Sequence, residues 1–373
     1  MKKFTKLLFY FQFFVVYWMI TGCSESGFTE CCFIDDDEPR EMENDTLDMG
    51  PACWDMHIQI RRDQRLNQLF TKYGPGWTGA DGTLSVKLND GKSLWIFGDT
   101  FLGIVNQDRS RTSFAFVNNT VLLQEGDNLV NPVQGARAFA SPPESDWWYW
   151  PGHGHVHGDT LELIMYAMVQ SEPGMWGFDY AAIDLLKFTL PDLQLVSNER
   201  KVNFPTINFG TSILKEGEYI YIYGAEKQGL NKYLHTARCK GGSLSNDWEF
   251  FDGEDWVSDM ARSRRQAPNV SEQFSVFQDG NYYYLLTQHH ILGEEIYLYR
   301  SENVHTGFTQ RKLIYCTPET QGDIFTYNAF AHPQFDDEDG LLISYNVNSL
   351  NFNDVLKNAD NYRPWFFRVE GWK

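Results

Sequence analysis

Beyond residue 70 the apolar positions of this chain alternate with polar ones in short runs, and tight polar turns separate the runs. TLSVKL is followed by Asn89-Asp90-Gly91 and then SLWIFGD; FGTSIL is followed by Lys215-Glu216-Gly217 and then EYIYIYGAE. A period of two marks strands, and a short glycine-containing turn between two such runs marks a hairpin. The unit recurs as GHVH, Gly158-Asp159, TLELIMYAM; as EQFSVF, Gln278-Asp279-Gly280, NYYYLLTQ; and as AHPQF, Asp336 to Gly340, LLISYNVN. Further strand-like runs follow the hairpins: FAFVNNTVLLQ, AIDLLKFTL, YLHTARC, IYLYRS and RPWFFRV. Hairpins with outer strands, repeated at a spacing of about 60 residues, predict an all-β fold, a five-bladed β-propeller with long blades. A β-sandwich with long loops is the competing arrangement. Helical periodicity is scarce, and a short helix is expected within Arg61 to Phe70.

The first residues follow a different pattern. Lys2, Lys3 and Lys6 precede an apolar stretch from Leu7 to Ile20, too short to span a bilayer comfortably. Ile20-Thr21-Gly22-Cys23 then resembles the lipobox of bacterial lipoproteins. The resemblance implies a signal peptide over 1–22, cleavage before Cys23, lipidation of its thiol, and a membrane anchor in the cell envelope, expected at the outer membrane. The acidic, weakly patterned segment 23–63 reads as a flexible tether and lead-in, and 64–373 as the propeller. Cys31, Cys32 and Cys53 lie in or near the tether, Cys239 and Cys316 are isolated, and no Cys-x-x-Cys pair points to zinc. The formal net charge of −19 excludes nucleic acid, or an anionic lipid surface, as a partner held by the overall field. A neutral or weakly charged ligand fits better, and the 16% aromatic content suits strands, large cores and sugar-binding surfaces alike.

Counting across the first hairpin selects candidate chemistry. With the turn centred between Asp90 and Gly91, antiparallel pairing brings Asp81 next to Thr100 and close to Asp99, both at the end opposite the turn. Two carboxylates so placed form a coupled pair in which one raises the pKa of the other. Asp159, in a second Gly-Asp-Thr string, falls in the turn itself and reads as turn chemistry. The corresponding entries of the other units carry Trp150, His153 and His155; Asn208 and Thr211; Glu272; and Asn328 and His332. With Trp77 and Gln288 these are the candidate substrate-binding residues, while Asp81, Glu272 and Asp99 are the candidate catalytic ones. His153, His155 and His157 alternate on one face, a spacing that suits sugar hydrogen bonding or channel packing better than a metal, because no carboxylate or cysteine accompanies them. No cofactor is expected, although a structural cation on the propeller axis, through His332, is a minor alternative.

Two resemblances follow from these residues. SEQFSVFQDGNYYYLL resembles the E-x-P-x-x-x-x-x-x-G-x-Y-Y-L stretch of five-bladed propeller glycosidases such as glycoside hydrolase family 43. In that family the glutamate is the general acid and an aspartate at the entry of the first blade is the base, which implies Glu272 as acid and Asp81 as base or nucleophile. Glu272 falls in the fourth unit here rather than the third, and the family's third carboxylate has no clear counterpart, with Asp146 and Asp99 as the nearest substitutes. GWTGADGTLSVKLNDGKSLWIFGDTFLG near the start, with TYNAFAHPQF, LLISYNVNS and YRPWFFRV near the end, resembles an envelope propeller family catalogued as a domain of unknown function. Relatives of that broad group include endo-arabinanases. The resemblance implies a carbohydrate ligand and a glycoside hydrolase; a non-catalytic carbohydrate-binding lipoprotein on the same scaffold is the alternative.

Overall fold

Asp63 caps a short helix near the start of the fold. The computed structural model describes residues 58–174, 177–228, 231–335 and 340–373. The expected signal peptide, the lipidation site at Cys23, most of the tether and most of the turn Asp336 to Gly340 lie outside the described residues. Strand β1 (Gln59–Arg62) is followed by helix α1 (Gln64–Leu69), where the Asp63 carboxylate accepts the Leu66 N–H at 2.8 Å, a standard N-cap. Strand β2 (Gly74–Ala80) leads into the first hairpin, β3 (Leu84–Lys87) and β4 (Ser93–Phe97), which turns at Asn89-Asp90 as expected.

The strands flanking that hairpin belong to another sheet. Beyond β4 the chain bends, and β5 (Thr100–Val105) and β6 (Arg111–Val117) pair with β2 in a separate three-stranded sheet. Strands β7 (Thr120–Glu125) and β8 (Asn128–Val130) return to β4. The run FAFVNNTVLLQ, read as one strand, is therefore split at Asn118-Asn119. Asn119 turns inward there and donates to the carbonyls of Ala140 and Tyr149, at 3.0 and 2.9 Å.

The other sheets are antiparallel meanders. One contains β9 (Trp148–His157), β10 (Thr160–Gln170), β11 (Phe178–Thr189) and β12 (Leu195–Asn203). Trp148 and Trp150 lie in β9. The next contains β13 (Ile207–Glu216), β14 (Tyr219–Gln228), β15 (Asn231–Lys240), β16 (Trp248–Phe251) and β17 (Trp256–Val257), with β18 (Ala267–Pro268) pairing β15. A further sheet contains β19 (Phe274–Asp279), β20 (Tyr282–Gln288), β21 (Glu295–Ser301) and β22 (Gln310–Cys316). The last comprises β23 (Ile324–Ala331), β24 (Leu341–Ser349) and, after helix α2 (Phe352–Lys357), β25 (Pro364–Glu370). Its outermost strand is β1, in register from Gln59 opposite Glu370 to Arg62 opposite Phe367. The boundary expected at residue 64 thus falls inside the fold, because four residues assigned to the lead-in, β1, complete the final sheet.

Apolar faces of successive sheets pack on one another. Leu84, Val86 and Ile96 meet Leu161 and Leu163; Ile164 and Ile183 meet Phe209 and Ile222; Tyr223 and Leu234 meet Phe274 and Leu285; Leu286 and Leu298 meet Ile343 and Tyr345. Trp95 and Phe97 of the first sheet pack with Leu342 and Phe366 of the last. Burying a large apolar side chain contributes about 1.5–3 kcal/mol, so these seams dominate the stability.

Polar side chains on the innermost strands tie them to their neighbours. The His153 Nε2 group meets the Ser85 carbonyl at 3.1 Å, and Nδ1 accepts the Ile213 N–H at 3.0 Å. Ser212 Oγ accepts the Val276 N–H, Ser275 Oγ accepts the Ala331 N–H, and Ser85 Oγ meets His332 Nδ1 at 2.6 Å.

Candidate functional site

The bend after β4 creates the site. Asp81 N–H donates to the Asp99 carbonyl at 3.1 Å and Gly98 N–H donates to the Asp81 carbonyl at 2.9 Å, which clamps the two aspartates at the end opposite the turn. A Cβ at Gly98 would lie 2.6 Å from Asp81 Oδ1, so a larger residue there would displace the carboxylate. Beside this clamp opens a cavity of about 610 Å³, within the range of small-molecule sites. Asp81, Asp99, Trp150, Glu272 and Asn328 all line it.

Asp81 Oδ2 accepts the Tyr327 hydroxyl at 2.8 Å. Burial, reinforced by the Asp99 charge, pushes its carboxyl up to about 7, against the opposing effect of the tyrosine hydrogen bonds. Asp99 Oδ1 accepts the Trp150 indole N–H at 2.9 Å and the Asn118 amide at 3.1 Å. Burial raises it to about 6. Glu272 has different company. Its Oε1 accepts the Tyr180 hydroxyl at 2.5 Å and the Asn208 amide at 2.7 Å, and its Oε2 is ion-paired with the Lys232 ammonium. Lys232 is only 2% exposed.

Thr211 also lines the cavity; the remaining sequence candidates are placed elsewhere. Asn208 is not at the cavity wall but acts on Glu272 from behind. Trp77 is buried against Phe70 and Phe97 in the core. His153 is held between Ser85 and Ile213, and burial keeps its imidazole neutral, down to about 4. His155 meets the Gly242 carbonyl at 3.2 Å. His332 is fully buried between Ser85 and Ser344, and burial lowers it to about 3. Gln288 is fully buried, donating to the Thr326 hydroxyl at 2.9 Å and accepting the Ala329 N–H at 3.1 Å. His153, His332 and Gln288 bridge neighbouring segments, Trp77 fills the core and His155 meets the loop after β15, so none of the five lines the cavity. Asp146 is exposed, away from the cavity. Among the described residues no group of three or more His, Cys, Asp or Glu could hold a metal ion.

Residues that sequence reasoning missed complete the wall. Tyr180 and Lys232 come from the third strands of their sheets, β11 and β15, whose inward reach depends on sheet stacking, while Tyr327 neighbours Asn328 on β23 and Asn118 lies in the break between β6 and β7. Aromatic groups surround the carboxylates: Trp150 packs edge-on against Phe178 at 4.7 Å between centroids, and Trp148 lies beside it at 6.2 Å. The Trp148 indole N–H is buried and finds no acceptor among the described residues. At the mouth, Phe116, Leu292, Leu350 and Phe352 are exposed.

Residues 63–372 match the family model described as Domain of unknown function (DUF5005). The chain belongs to the DUF5005 family. No curated protein matches it. Among solved structures, this DUF5005 chain is similar to a protein of Bacteroides ovatus provisionally assigned as a hydrolase, with a TM-score of 0.75, 24% identity, and 84% of this chain and 91% of that one covered. That likeness establishes a shared fold. Weaker matches include a family 117 glycoside hydrolase of the marine bacterium Zobellia galactanivorans, with a TM-score of 0.46, 11% identity, and 84% and 90% coverage. Another is an α-L-arabinofuranosidase from Podospora anserina in complex with cellotriose, with a TM-score of 0.46, 8% identity, and 80% and 94% coverage.

Proposed function

We propose that this DUF5005 protein is a glycoside hydrolase of the cell envelope. One observation carries the reading: two carboxylate sets of opposite character line one cavity, Asp81 with Asp99 and Glu272 with Lys232. Glycoside hydrolysis needs a proton donor for the leaving oxygen and a carboxylate that activates water or attacks the anomeric carbon. Environments that push two carboxyl groups apart in proton affinity supply that pairing. The aromatic walls suit the C–H faces of a sugar, and the unpartnered Trp148 N–H suits a hydroxyl acceptor from a ligand.

The architecture in this reading is a five-bladed propeller with the cavity at one mouth. Its support is the set of hydrogen bonds that join β3, β9, β13, β19 and the end of β23, with the seam between the first and last sheets. The chain is further proposed to be a lipoprotein anchored through Cys23 at the outer membrane, on the lipobox pattern alone. A second reading, a non-catalytic carbohydrate-binding lipoprotein, draws on the aromatic walls without needing the carboxylates.

The deciding experiment incubates purified protein with a panel of polysaccharides and oligosaccharides, following reducing ends and affinity together. Hydrolysis that disappears in Glu272→Gln while binding persists supports the enzyme. Binding without new reducing ends supports the second reading, and unchanged turnover in Glu272→Gln refutes a role for that residue.

A further inference from the structure

The two carboxylate sets differ in the sign of the charge that faces them. Lys232 lies at the start of β15, almost wholly removed from solvent, with its ammonium against Glu272 Oε2. A buried ammonium whose carboxylate partner is neutralised is left as an uncompensated charge, and breaking such a pair is strongly unfavourable. Tyr180 and Asn208 direct two further donors at Oε1, so the side chains facing Glu272 supply hydrogens and one positive charge. Tyr166 lies behind Tyr180, with ring centroids 5.4 Å apart, and adds no opposing cation. Asp81 also accepts a phenol, that of Tyr327, but the charge facing it has the opposite sign, the Asp99 carboxylate. Its backbone is clamped to that of Asp99, so the pair cannot separate to relieve two negative charges.

We propose that Lys232 fixes Glu272 as the proton acceptor of the reaction and leaves proton donation to Asp81, the reverse of the roles implied by the resemblance to family 43 glycosidases. The proposal rests on the glycoside hydrolase reading above. In the step, the Asp81 carboxyl proton passes to the glycosidic oxygen as the bond from that oxygen to the anomeric carbon breaks. A water oxygen bonds to the anomeric carbon, and the proton it loses goes to Glu272. The products are an alcohol and a sugar with a free anomeric hydroxyl. Solvent returns the proton from Glu272 to Asp81. Lys232 is a positioning residue here: it acts on Glu272 rather than on the sugar.

The test uses the full protein and pairs of glycosides of one sugar, with 2,4-dinitrophenol or methanol as leaving group, in α and β forms across common hexoses and pentoses. No turnover by the wild type on any of these, or on the polysaccharide panel, overturns the hydrolase reading and the proposal with it. Given a substrate, Asp81→Asn should keep most activity on the dinitrophenyl glycoside, which needs no proton to leave. It should lose about 10²-fold or more on the methyl glycoside. Glu272→Gln should lose that factor on both, and added azide, which needs no base, should restore turnover. Leaving-group dependence in Glu272→Gln instead, in both variants or in neither, overturns the assignment. Lys232→Met should move the acidic limb of the kcat/KM profile to higher pH, while Lys232→Arg keeps it in place. Unfolding midpoints equal to wild type separate this shift from misfolding, and an unmoved limb in folded Lys232→Met refutes the role of the lysine.

Discussion

Asp81→Asn should make the protein more stable, and only above a certain pH. The folded structure holds the Asp81 carboxyl at about 7, against an ordinary 3.8, chiefly through burial and next through the Asp99 charge. The sign follows from proton linkage: a carboxyl raised on folding is ionised more easily in the unfolded chain. The wild type therefore has its full stability below the unfolded pKa and loses some as pH rises through the folded one. A gap of about three units corresponds to about 4 kcal/mol at 1.36 kcal/mol per unit. The side chain opens on the cavity, so screening reduces this to about 2–4 kcal/mol. Asparagine preserves the shape and still accepts from Tyr327, but carries no charge. Urea unfolding of both proteins should give equal free energies near about pH 4 and a difference of about 2–4 kcal/mol in favour of the variant near about pH 9. A difference that does not change with pH, or a variant less stable at the higher pH, would refute the electrostatic account of the pair.

Other consequences can be checked separately. Tyr327→Phe removes a hydrogen bond that favours ionised Asp81, worth about 1.5–3 kcal/mol to a charged group. The Asp81 titration, read by carboxyl NMR, should move up by about 1–2 units. Arg111 is buried and donates to the carbonyls of Thr78, Val355, Ala359 and Tyr362, so Arg111→Met should cost about 3–5 kcal/mol in denaturant unfolding. Because Val355 and Tyr362 line the cavity, the same variant should weaken ligand binding measured by calorimetry. Cys23→Ser should abolish incorporation of labelled palmitate in a bacterial host and release the protein from the membrane fraction; unchanged labelling would contradict the lipobox reading.

The hairpins were legible because alternation and Asn-Asp-Gly or Gly-Asp turns are local signals, and the pairing that brings Asp81 to Asp99 follows from counting across one of them. The split of FAFVNNTVLLQ was not legible, since Asn119 breaks the run only by bonding to carbonyls in another segment. Glu272 was found through a motif, but its partner Lys232 lies 40 residues earlier in a strand where a lysine reads as a solvated position. The histidines misled for a related reason. A polar residue on an inner strand serves either the mouth or the neighbouring strand, and the period of two does not distinguish these. His153 and His332 are wedged between strands, whereas Trp150 and Asn328 reach the cavity.

The pairing of β1 with β25 has a consequence for how the chain reaches this state. Arg61 and Glu370 bond across 309 positions of sequence, and the last sheet lacks its outer strand until both ends are present. Contacts of such long range slow folding, because the entropy of closing the loop is lost before the contact compensates for it. During synthesis β1 emerges first and waits for its partner with its ladder groups unpaired, a period in which edge-to-edge association competes. A chain shortened to begin at residue 64 would keep every carboxylate of the cavity yet leave β25 as an open edge, so its failure would show as aggregation on refolding rather than as a defect in chemistry.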